Sequence, residues 1–495
     1  MSQALSIKLV ERIIEIIRSE NHEDVMDELI KDLVLRDKKL YEIIYLCTIH
    51  NTALEEPIRA ELIDKIQSID SSSCSYSTWL LCFSIAMHTG NFSLAYLFRE
   101  NAKRNIYIKY RSGERNTELL CKLLSLAIED GDDALYIEIR KVISKKEGIP
   151  SNKLADLDHL DMIFSFCNGT VSKIAEKYIS NNQDYYNYIS GKKIALVVPT
   201  LVETLDASEI DGSDVVVRLN YSYKGQGCDM IYKGVRTDIS YYNKMTLNKL
   251  DEEFSGQAPD DLKFLVGKGK SIDRNNKYRR LYPFDNSLLN GTFNMLPNTL
   301  FDLLVFSPSE IKIFHSDMQL KPSLRVKNYY SENSILNEDE LFKASVSKSF
   351  SIHDPFGQLN IIRRIVKNNS KVLADDILTL TLNMSNVEYA SCLTENYRVN
   401  FNKKALEDQH IESTNIELIS ELRNKIKSLN EKAIHVENKL HLMESQKTSQ
   451  ERVIAEMKIK IKNQKIQFSK LKSSFSWKLT KPIRFVGRSL LFMRK

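Results

Sequence analysis

From Lys192 to Asn243 the chain reads KKIALVVPTLVETLDASEIDGSDVVVRLNYSYKGQGCDMIYKGVRTDISYYN. This stretch contains two unbroken apolar runs of strand length, Ile194–Val198 and Val215–Val217. Runs that lack polar alternation are typical of parallel strands buried on both faces. The stretch therefore predicts the first two strands of a parallel α/β sheet.

Further candidate strands alternate with helical patterns as far as about residue 400. The expected strands are Ala195–Val198, Val215–Arg218, Leu262–Val266, Leu303–Val305 and Ile311–Phe314. Ligands of open parallel sheets bind beyond the carboxyl ends of the strands, so residues that directly follow an apolar run are candidate site residues. The rule selects Pro199, Thr200, Arg218, Asn220, His315, Ser316 and Asp317.

Residues 1–188, before the sheet, have helical periodicity and few prolines or glycines. Gly90, Gly131 and Gly169 are about 40 residues apart, and each separates two apolar helical segments. This spacing predicts degenerate helical hairpins of the tetratricopeptide type, while an irregular helical bundle is the alternative. In either case we expect the region to pack against the α/β domain or to dock a partner.

Length, cysteine usage and hydropathy limit the class of protein. A chain of 495 residues is too long for one core, which predicts two or three domains with extensions. The seven cysteines show no metal-ligand spacing, and their odd number argues against a framework of disulfide bonds. We therefore expect the protein in a reducing cytosol. The N-terminus resembles an amphipathic helix and not a signal peptide, and no apolar run approaches the roughly 20 residues of a membrane span.

Residues 415–472 carry a heptad pattern. Stepping alternately three and four residues from Ile419 to Leu471 gives 16 core positions, of which 13 are apolar. The pattern predicts a coiled coil of roughly 80 Å that forms a homo-oligomer, with a long helix folded back on its own domain as the alternative.

Residues 474–495 combine aromatic and basic side chains, and no acidic residue follows Glu456. This composition suits the surface of an anionic membrane, although nucleic-acid binding uses the same residue types. The segment SWKLTKPIR within it resembles the ending of many bacterial surface-polysaccharide glycosyltransferases. We therefore expect a peripheral membrane protein that does not bind nucleic acid.

Several catalytic motifs are missing from the sequence, among them the P-loop, H-E-x-x-H and G-x-S-x-G. The D-x-D motif of metal-dependent sugar transferases is represented by Asp156–Asp158, in helical context. The sequence thus predicts no metal site and no cofactor. It favours a reaction without a diphosphate leaving group, whose charge a metal would neutralise. Transfer from a nucleoside monophosphate sugar is such a reaction.

Four segments of the opening stretch, IALVVPT, EIDGSDVVVRLN, GQGCD and KGVRTDISYYN, resemble in order and spacing the large sialyl motif of CMP-sialic acid transferases. In that family the D-x-V-V-R-x-N segment gives an asparagine to the donor site, which implies this role for Asn220. The first loop departs from the family, because VPTLVET replaces its G-N-G/S pattern, and the small sialyl motif is missing.

The segments KGVRTDISYYN, IKIFHSDM, SIHDPFGQLNIIRRIV and ADDILTLTL resemble the bacterial β-Kdo transferases of glycosyltransferase family 99. The resemblance implies a sialyltransferase-like, GT-B-related catalytic domain at residues 190–405 that uses CMP-Kdo. It further implies a retaining mechanism, in which Asp317 takes the sugar covalently before the acceptor does.

The candidate donor-binding residues are polar groups that suit a nucleotide sugar. Arg218 and Asn220 can bind ribose or phosphate, and Lys233 and Arg236 can bind the carboxylate and phosphate of the donor. Asp238 can act as acid or base if burial raises its pKa. The structural alternatives are a solvated strand-end charge for Arg218 and an ion pair with Arg236 for Asp238.

The candidate catalytic groups lie further along the chain. Asp317 can attack an anomeric carbon, or alternatively cap the next helix. His353 precedes Pro355 at an expected helix start, where it can bind the leaving phosphate or donate a proton, or alternatively be a structural histidine. Gln358, one turn later, faces the same side, and Asp375 is expected to cap the following helix.

Together these patterns predict a CMP-sugar-dependent glycosyltransferase of lipopolysaccharide O-antigen or capsule assembly, on the cytoplasmic face of the inner membrane. Its expected partners are the CMP-sugar donor, a glycan acceptor that is either free or lipid-linked, and the membrane surface. An inverting sialyltransferase with His315 or Asp238 as general base is the enzymatic alternative. A non-catalytic scaffold or chain-length ruler is the other.

Overall fold

The computed structural model describes residues 7–18, 37–50, 54, 56–200, 204–221, 230–244, 246–248, 262–268, 277–281, 284–321, 350–397, 457–467 and 469–470. The chain divides into two compact units, Met1–Phe401 and Asn402–Lys495. In the first unit, a helical region precedes an α/β domain whose seven strands are all parallel. The predicted order of helices and then a parallel α/β sheet is confirmed.

The helical region is built from hairpins whose turns contain glycine. Gly90, Gly131 and Gly169 have φ angles of 76°, 73° and 67°, and each lies one or two residues after the end of a helix. These left-handed conformations end helices at the predicted places, while the repeat class stays a prediction. The described helices are α1 (Ile7–Arg18), α2 (Lys38–His50), α3 (Glu56–Ser68), α4 (Tyr76–His88), α5 (Phe92–Arg111), α6 (Thr117–Asp130), α7 (Asp133–Ser144), α8 (Ser151–Cys167), α9 (Ala175–Ser180) and α10 (Gln183–Ile189).

The sheet has the strand order β5-β4-β3-β2-β1-β6-β7. The chain therefore builds outward from β1 in one direction as far as β5, and then returns to the other side of β1 to add β6 and β7. The strands are β1 (Lys193–Val197), β2 (Val215–Leu219), β3 (Ile239–Tyr242), β4 (Phe264–Gly267), β5 (Tyr278–Arg280), β6 (Glu310–Phe314) and β7 (Val372–Ala374). The described helices among and after them are α11 (Ala207–Asp211), α12 (Met230–Lys233), α13 (Met295–Val305), α14 (Pro355–Asn368), α15 (Asp376–Asn383) and α16 (Asn386–Asn396).

Four of the five expected strands are confirmed as β1, β2, β4 and β6, but the strand predicted at Leu303–Val305 is wrong. Those residues are the last turn of α13, which is buried on every side from Leu296 onward. A helix that is apolar all round produces the same short apolar run as a buried strand, so periodicity cannot separate the two.

One hydrophobic core joins the helical region to the sheet. Trp79 and Phe98 of the helical region belong to the same buried cluster as Leu196 of β1, with α13 and α14 also contributing. The opposite face of the sheet has a smaller core beneath α11, which includes Val197 and Val216. The helical region is therefore part of the structural support of the α/β domain.

The second unit is described only at residues 457–467 and 469–470, which are helical and exposed. The coiled coil predicted at 415–472 is not shown, because most of it lies outside the described residues, and so does the whole segment 474–495. Within the described part of the chain, no helix combines the length and the apolar content that crossing a bilayer requires.

Candidate functional site

A cavity of about 440 Å³ lies at the carboxyl edge of the sheet. Its floor includes Val198–Thr200, which follow β1, and Ser316–Asp317, which follow β6. Strand order reverses between β1 and β6, and this switch point is where open α/β sheets bind their ligands. The volume is in the usual range for a small-molecule site.

Strained backbone conformations concentrate at the edge of the sheet that borders the cavity. Six described non-glycine residues have a positive φ, and four of them lie here: Asn220, His315, Met318 and Gln319, with φ angles of 50°, 62°, 51° and 63°. Asn286 and Ser307 are the other two. The first four follow β2 and β6, and Asn220, Met318 and Gln319 line the cavity. Non-glycine residues in this region cost energy and cluster at functional sites. The strain is an independent indication that this edge of the sheet binds a ligand.

Asp317 presents a carboxylate to the cavity from the turn after β6. Its two oxygens accept hydrogen bonds from the backbone N–H groups of Gln319 and Lys321, each at 2.9 Å, and only 6% of the residue is exposed. Backbone donors favour the charged form of a carboxylate and fix its direction. The arrangement gives the cavity an anionic oxygen in a defined position.

His353 borders the cavity with a defined ring orientation. Its Nδ1 donates to the carbonyl oxygen of Thr292 at 2.9 Å, which leaves Nε2 as the acceptor of the neutral ring. Burial lowers the pKa of His353 below its ordinary 6.5, against the opposing effect of the Thr292 carbonyl. The loop that contains Thr292 and the loop that contains His353 meet closely. A Cβ on Gly291, whose φ is 73°, would be 2.3 Å from the Ile352 carbonyl oxygen.

A helix N-terminus and two lysines contribute positive potential to the cavity. Asn294, the N-cap of α13, makes no side-chain cap bond, because its amide instead donates to Gln319 Oε1 at 2.7 Å. The first turn of α13 lines the cavity, as do Lys268 and Lys321. Helix N-termini and lysines both favour anionic groups, so the site suits a ligand that carries phosphate or carboxylate.

The cavity brings together predicted residues from distant parts of the sequence. Four separate segments contribute them: the ends of β1, β2 and β6, and the start of α14. The predicted residues that line it are Pro199, Thr200, Asn220, Ser316, Asp317, His353 and Gln358.

Arg218 and Lys233 lie on the other side of the sheet from the cavity. Leu219 lines the cavity, so its neighbour Arg218 points to the opposite face and binds the Lys233 carbonyl at 2.7 Å and Thr237 Oγ1 at 2.9 Å. Lys233 Nζ donates to the carbonyl oxygens of Val198 and Thr200. Both residues support the loop behind the cavity and are not among its lining residues, which corrects their predicted donor contacts.

Arg236 and Asp238 lie at the opposite edge of the sheet. Asp238 immediately precedes β3, whereas the cavity is at the carboxyl ends of the strands, about 13 Å away along a four-residue strand. Its carboxylate accepts from Val216 N at 2.7 Å and pairs with Arg236 at 2.8 Å. The structure does not bring Asp238 to Asp317, and its predicted acid/base role is therefore withdrawn, as is donor binding by Arg236.

His315 is buried behind the cavity with two carboxylates, and the three residues offer ligand atoms within 4.8 Å of one another. His315 Nε2 bonds Asp206 at 2.9 Å, and Asp375 accepts from the backbone N–H groups of His315 and Leu378. Burial lowers the pKa of His315 to about 4, with further lowering by Lys233 and Arg218. Lys233 and Arg218 place positive charge near this cluster, and His315 is not among the lining residues of the cavity.

The sequence prediction missed several lining residues. Lys268 directly follows β4, so the rule for strand ends could have selected it. Asn243 likewise follows β3, a strand that was not expected. Asn294 was hidden because α13 was interpreted as a strand. Lys321 and Tyr397 carry no sequence signal, since the fold alone brings them to the cavity.

Comparisons with protein-family models, with curated proteins and with solved structures found no match.

Proposed function

We propose that the chain is a glycosyltransferase that uses a CMP-activated acidic sugar, most simply CMP-Kdo. The observation that carries the proposal is the placement of the Asp317 carboxylate in a cavity whose lining also includes Lys268, Lys321 and the first turn of α13. Such a site suits a donor that is itself anionic at two places, the phosphate and the sugar carboxylate. A fixed carboxylate beside those anions suits attack on carbon and not anion binding.

The donor is proposed to lie across the switch point of the sheet. The phosphate would bind at the first turn of α13 beside Lys268, and the sugar carboxylate beside Lys321. Asn220 remains a candidate for the nucleoside, although its Oδ1 already accepts from Asn243 N at 3.0 Å and leaves its amide N–H groups as donors. Pro199 and Thr200 would contact the same part of the donor.

The proposed chemistry has two displacements. An Asp317 oxygen attacks the anomeric carbon, whose bond to the phosphate oxygen breaks, and CMP leaves with that electron pair. The acceptor hydroxyl then attacks the same carbon, the bond to Asp317 breaks, and the hydroxyl proton passes to Nε2 of His353. Because Asp238 is remote, His353 is assigned here as the general base.

An inverting transferase is the second candidate, and the state of His353 is compatible with it. A neutral imidazole with an acceptor Nε2 can activate an acceptor hydroxyl in a single displacement. In that reaction Asp317 would only stabilise positive charge at the sugar. The two candidates differ in the anomeric configuration of the product, which NMR of the product determines. A scaffold without catalysis would release no CMP from any donor.

The setting of the enzyme is proposed from the sequence resemblances. These favour a sialyltransferase-like domain that works in bacterial surface-polysaccharide assembly at the inner membrane. A coiled coil at 415–472 would make the protein a homo-oligomer, and the basic segment 474–495 would bind the anionic membrane surface. Flotation with anionic liposomes, with and without the residues after Ser474, tests the membrane contact, and equal flotation of the two forms would reject it.

Binding of CMP tests the site without requiring the acceptor. We expect Lys268→Met to raise the Kd of CMP about tenfold, because one charge-assisted hydrogen bond to phosphate is lost. Isothermal titration calorimetry measures the Kd. The matched control is Lys312→Met, since Lys312 pairs with Glu209 outside the cavity. Equal effects of the two substitutions, or no CMP binding by the unaltered protein, would contradict the proposed donor site.

The pH dependence of transfer tests the role of His353. Its pKa is lowered below 6.5, so the ring is neutral at pH 7, and transfer should fall only as the pH drops below 6.5 and the ring gains a proton. His353→Asn should reduce the rate about 10²–10⁴-fold and remove this acid limb. His159→Asn is the control, because burial also lowers the pKa of His159, which lies on α8. If the fall in rate at low pH persists in His353→Asn, the group that gains the proton is another residue, and the role of His353 as general base is contradicted.

A further inference from the structure

A buried arginine of the helical region binds the residue that precedes α14, near the cavity. Arg99 of α5 is 1% exposed, and its Nε and Nη2 donate to the carboxylate of Asp354 at 2.7–3.0 Å. The same Nη2 donates to Glu129 Oε2 of α6 at 2.6 Å. Two helices of the helical region therefore hold the residue that directly precedes α14.

Asp354 connects Arg99 to residues that line the cavity. It is the N-cap of α14, where its Oδ1 accepts from Gly357 N at 3.1 Å. Its carbonyl oxygen accepts from Gln358 Nε2 at 3.1 Å, and Gln358 Oε1 accepts from Asn294 N at 2.9 Å. Asn294 is the N-cap of α13, so a continuous chain of hydrogen bonds joins Arg99 to both helix N-termini at the cavity.

Close packing keeps this network in contact with α14. A Cβ on Gly357 would lie 2.8 Å from Glu129 Oε1 and 3.0 Å from Arg99 Nη2. The helix therefore approaches the ion cluster as closely as its backbone allows. A small shift of the guanidinium would be transmitted to α14, because the packed interior leaves no space to absorb it.

A buried group of one cation and two carboxylates is weak evidence for stability, because desolvation offsets much of the attraction. The planar fork of arginine, in contrast, fixes the direction of the carboxylate it binds. We propose that Arg99 is a positioning residue of the site: it orients Asp354, and through Asp354 it sets His353, Gln358 and the first turn of α13 around the ligand. The ligand part of this inference rests on the proposed function.

A comparison of Arg99→Lys with Arg364→Lys tests the inference. Arg364 also joins α14 to the helical region, through the Ile128 carbonyl at 2.8 Å and Asn168 at 2.9 Å. It is ten residues further along α14 than Asp354, about 15 Å from the cavity end. Lysine keeps the charge in both variants and removes the fork. The two sites differ in their distance from the cavity and in the exposure of the carboxylate partners, which is at most 1% at Arg99 and 48% at Arg364.

Two measurements are made on the full chain. Amide hydrogen exchange at residues 291–296 and 353–360 needs no ligand, and the Kd of CMP reports the site itself. We expect Arg99→Lys to speed exchange in both segments and raise the Kd, each by about tenfold, and Arg364→Lys to change neither by more than about twofold. Equal responses of the two variants would overturn the inference.

Asp354→Asn serves as a second variant, because it keeps the cap and leaves Arg99 paired with Glu129 alone. It should show the same rise in exchange, and unchanged exchange in both segments would also overturn the inference. If the unaltered protein binds no CMP, the proposed function fails, while the exchange data still decide whether Arg99 positions the cavity wall.

Discussion

Asp317→Ala is expected to reduce sugar transfer by at least about 10³-fold while CMP still binds. The substitution removes the carboxylate oxygen proposed to attack the anomeric carbon. It leaves Lys268 and the N-terminus of α13, the proposed phosphate contacts, unchanged. An effect on the rate without an effect on nucleotide binding separates a nucleophile from a residue that only holds the donor.

Mass spectrometry of the protein after brief exposure to the donor provides the direct measurement. The unaltered chain should gain the mass of one sugar, and Asp317→Ala should not. Asp317→Asn is the matched control, because it keeps an oxygen that can accept from Gln319 N or Lys321 N and so preserves the turn. Full activity in either variant would reject the assignment. Lost activity with no adduct on the unaltered protein would favour the inverting reaction.

Arg99→Met is expected to lower the free energy of unfolding by about 3–5 kcal/mol. Methionine fills much of the same space but leaves Glu129 and Asp354 as two buried carboxylates without a cation. Their side chains are at most 1% exposed, so water cannot replace the lost charge. Urea unfolding followed by circular dichroism measures the change. Arg364→Met is the control, with a smaller loss, because its partner Asp133 is 48% exposed.

The same variant should show a steeper dependence of stability on pH. Burial raises the pKa of Glu129 to about 7, against the opposing effect of Arg99. A carboxyl group whose pKa is higher in the folded state than its model value of 4.5 makes the fold less stable as the pH rises through that interval. Removal of Arg99 removes the opposing effect, so the deficit of Arg99→Met should be larger at pH 8 than at pH 5. A deficit that is constant with pH would contradict this account.

The position of the site could be predicted from the sequence because it follows from chain direction. In a parallel sheet all carboxyl ends lie at one edge, so Thr200, Asn220 and Asp317 could be grouped without knowledge of the strand order. The same reasoning holds for the start of α14, where Pro355 and the N-cap Asp354 lie at the predicted helix start. These predictions needed only local patterns and one topological rule.

The predictions of site residues failed where it mattered which face of a strand a side chain lies on, or which end of the strand it is near. Arg218 and Leu219 are neighbours, yet only Leu219 lines the cavity, because successive side chains point to opposite faces. Asp238 precedes β3, a strand that was not expected, so its position at the amino edge could not be recognised. Strands of three residues, such as β5 and β7, give little periodic signal.

Contacts between distant segments lay beyond any local pattern. Arg99 and Asp354 are 255 residues apart, and nothing near Arg99 distinguishes it from the other basic residues of α5. Its burial depends on where α14 packs, which is a property of the whole fold. The helical region was accordingly predicted to pack against the α/β domain or to dock a partner, and the contact of Arg99 with Asp354 was not foreseen.

The core shared by the helical region and the α/β domain has a consequence for biosynthesis. Arg59 of α3 pairs with Glu395 of α16, 336 residues later, and Phe92 of α5 packs edge-on against Phe350 and Tyr397. At roughly 5–20 residues per second, Glu395 leaves the ribosome about 17–67 s after Arg59. During that interval the apolar surface of the nascent helices has no native cover. We expect a high contact order, slow final folding and a need for chaperone protection until α16 has been made.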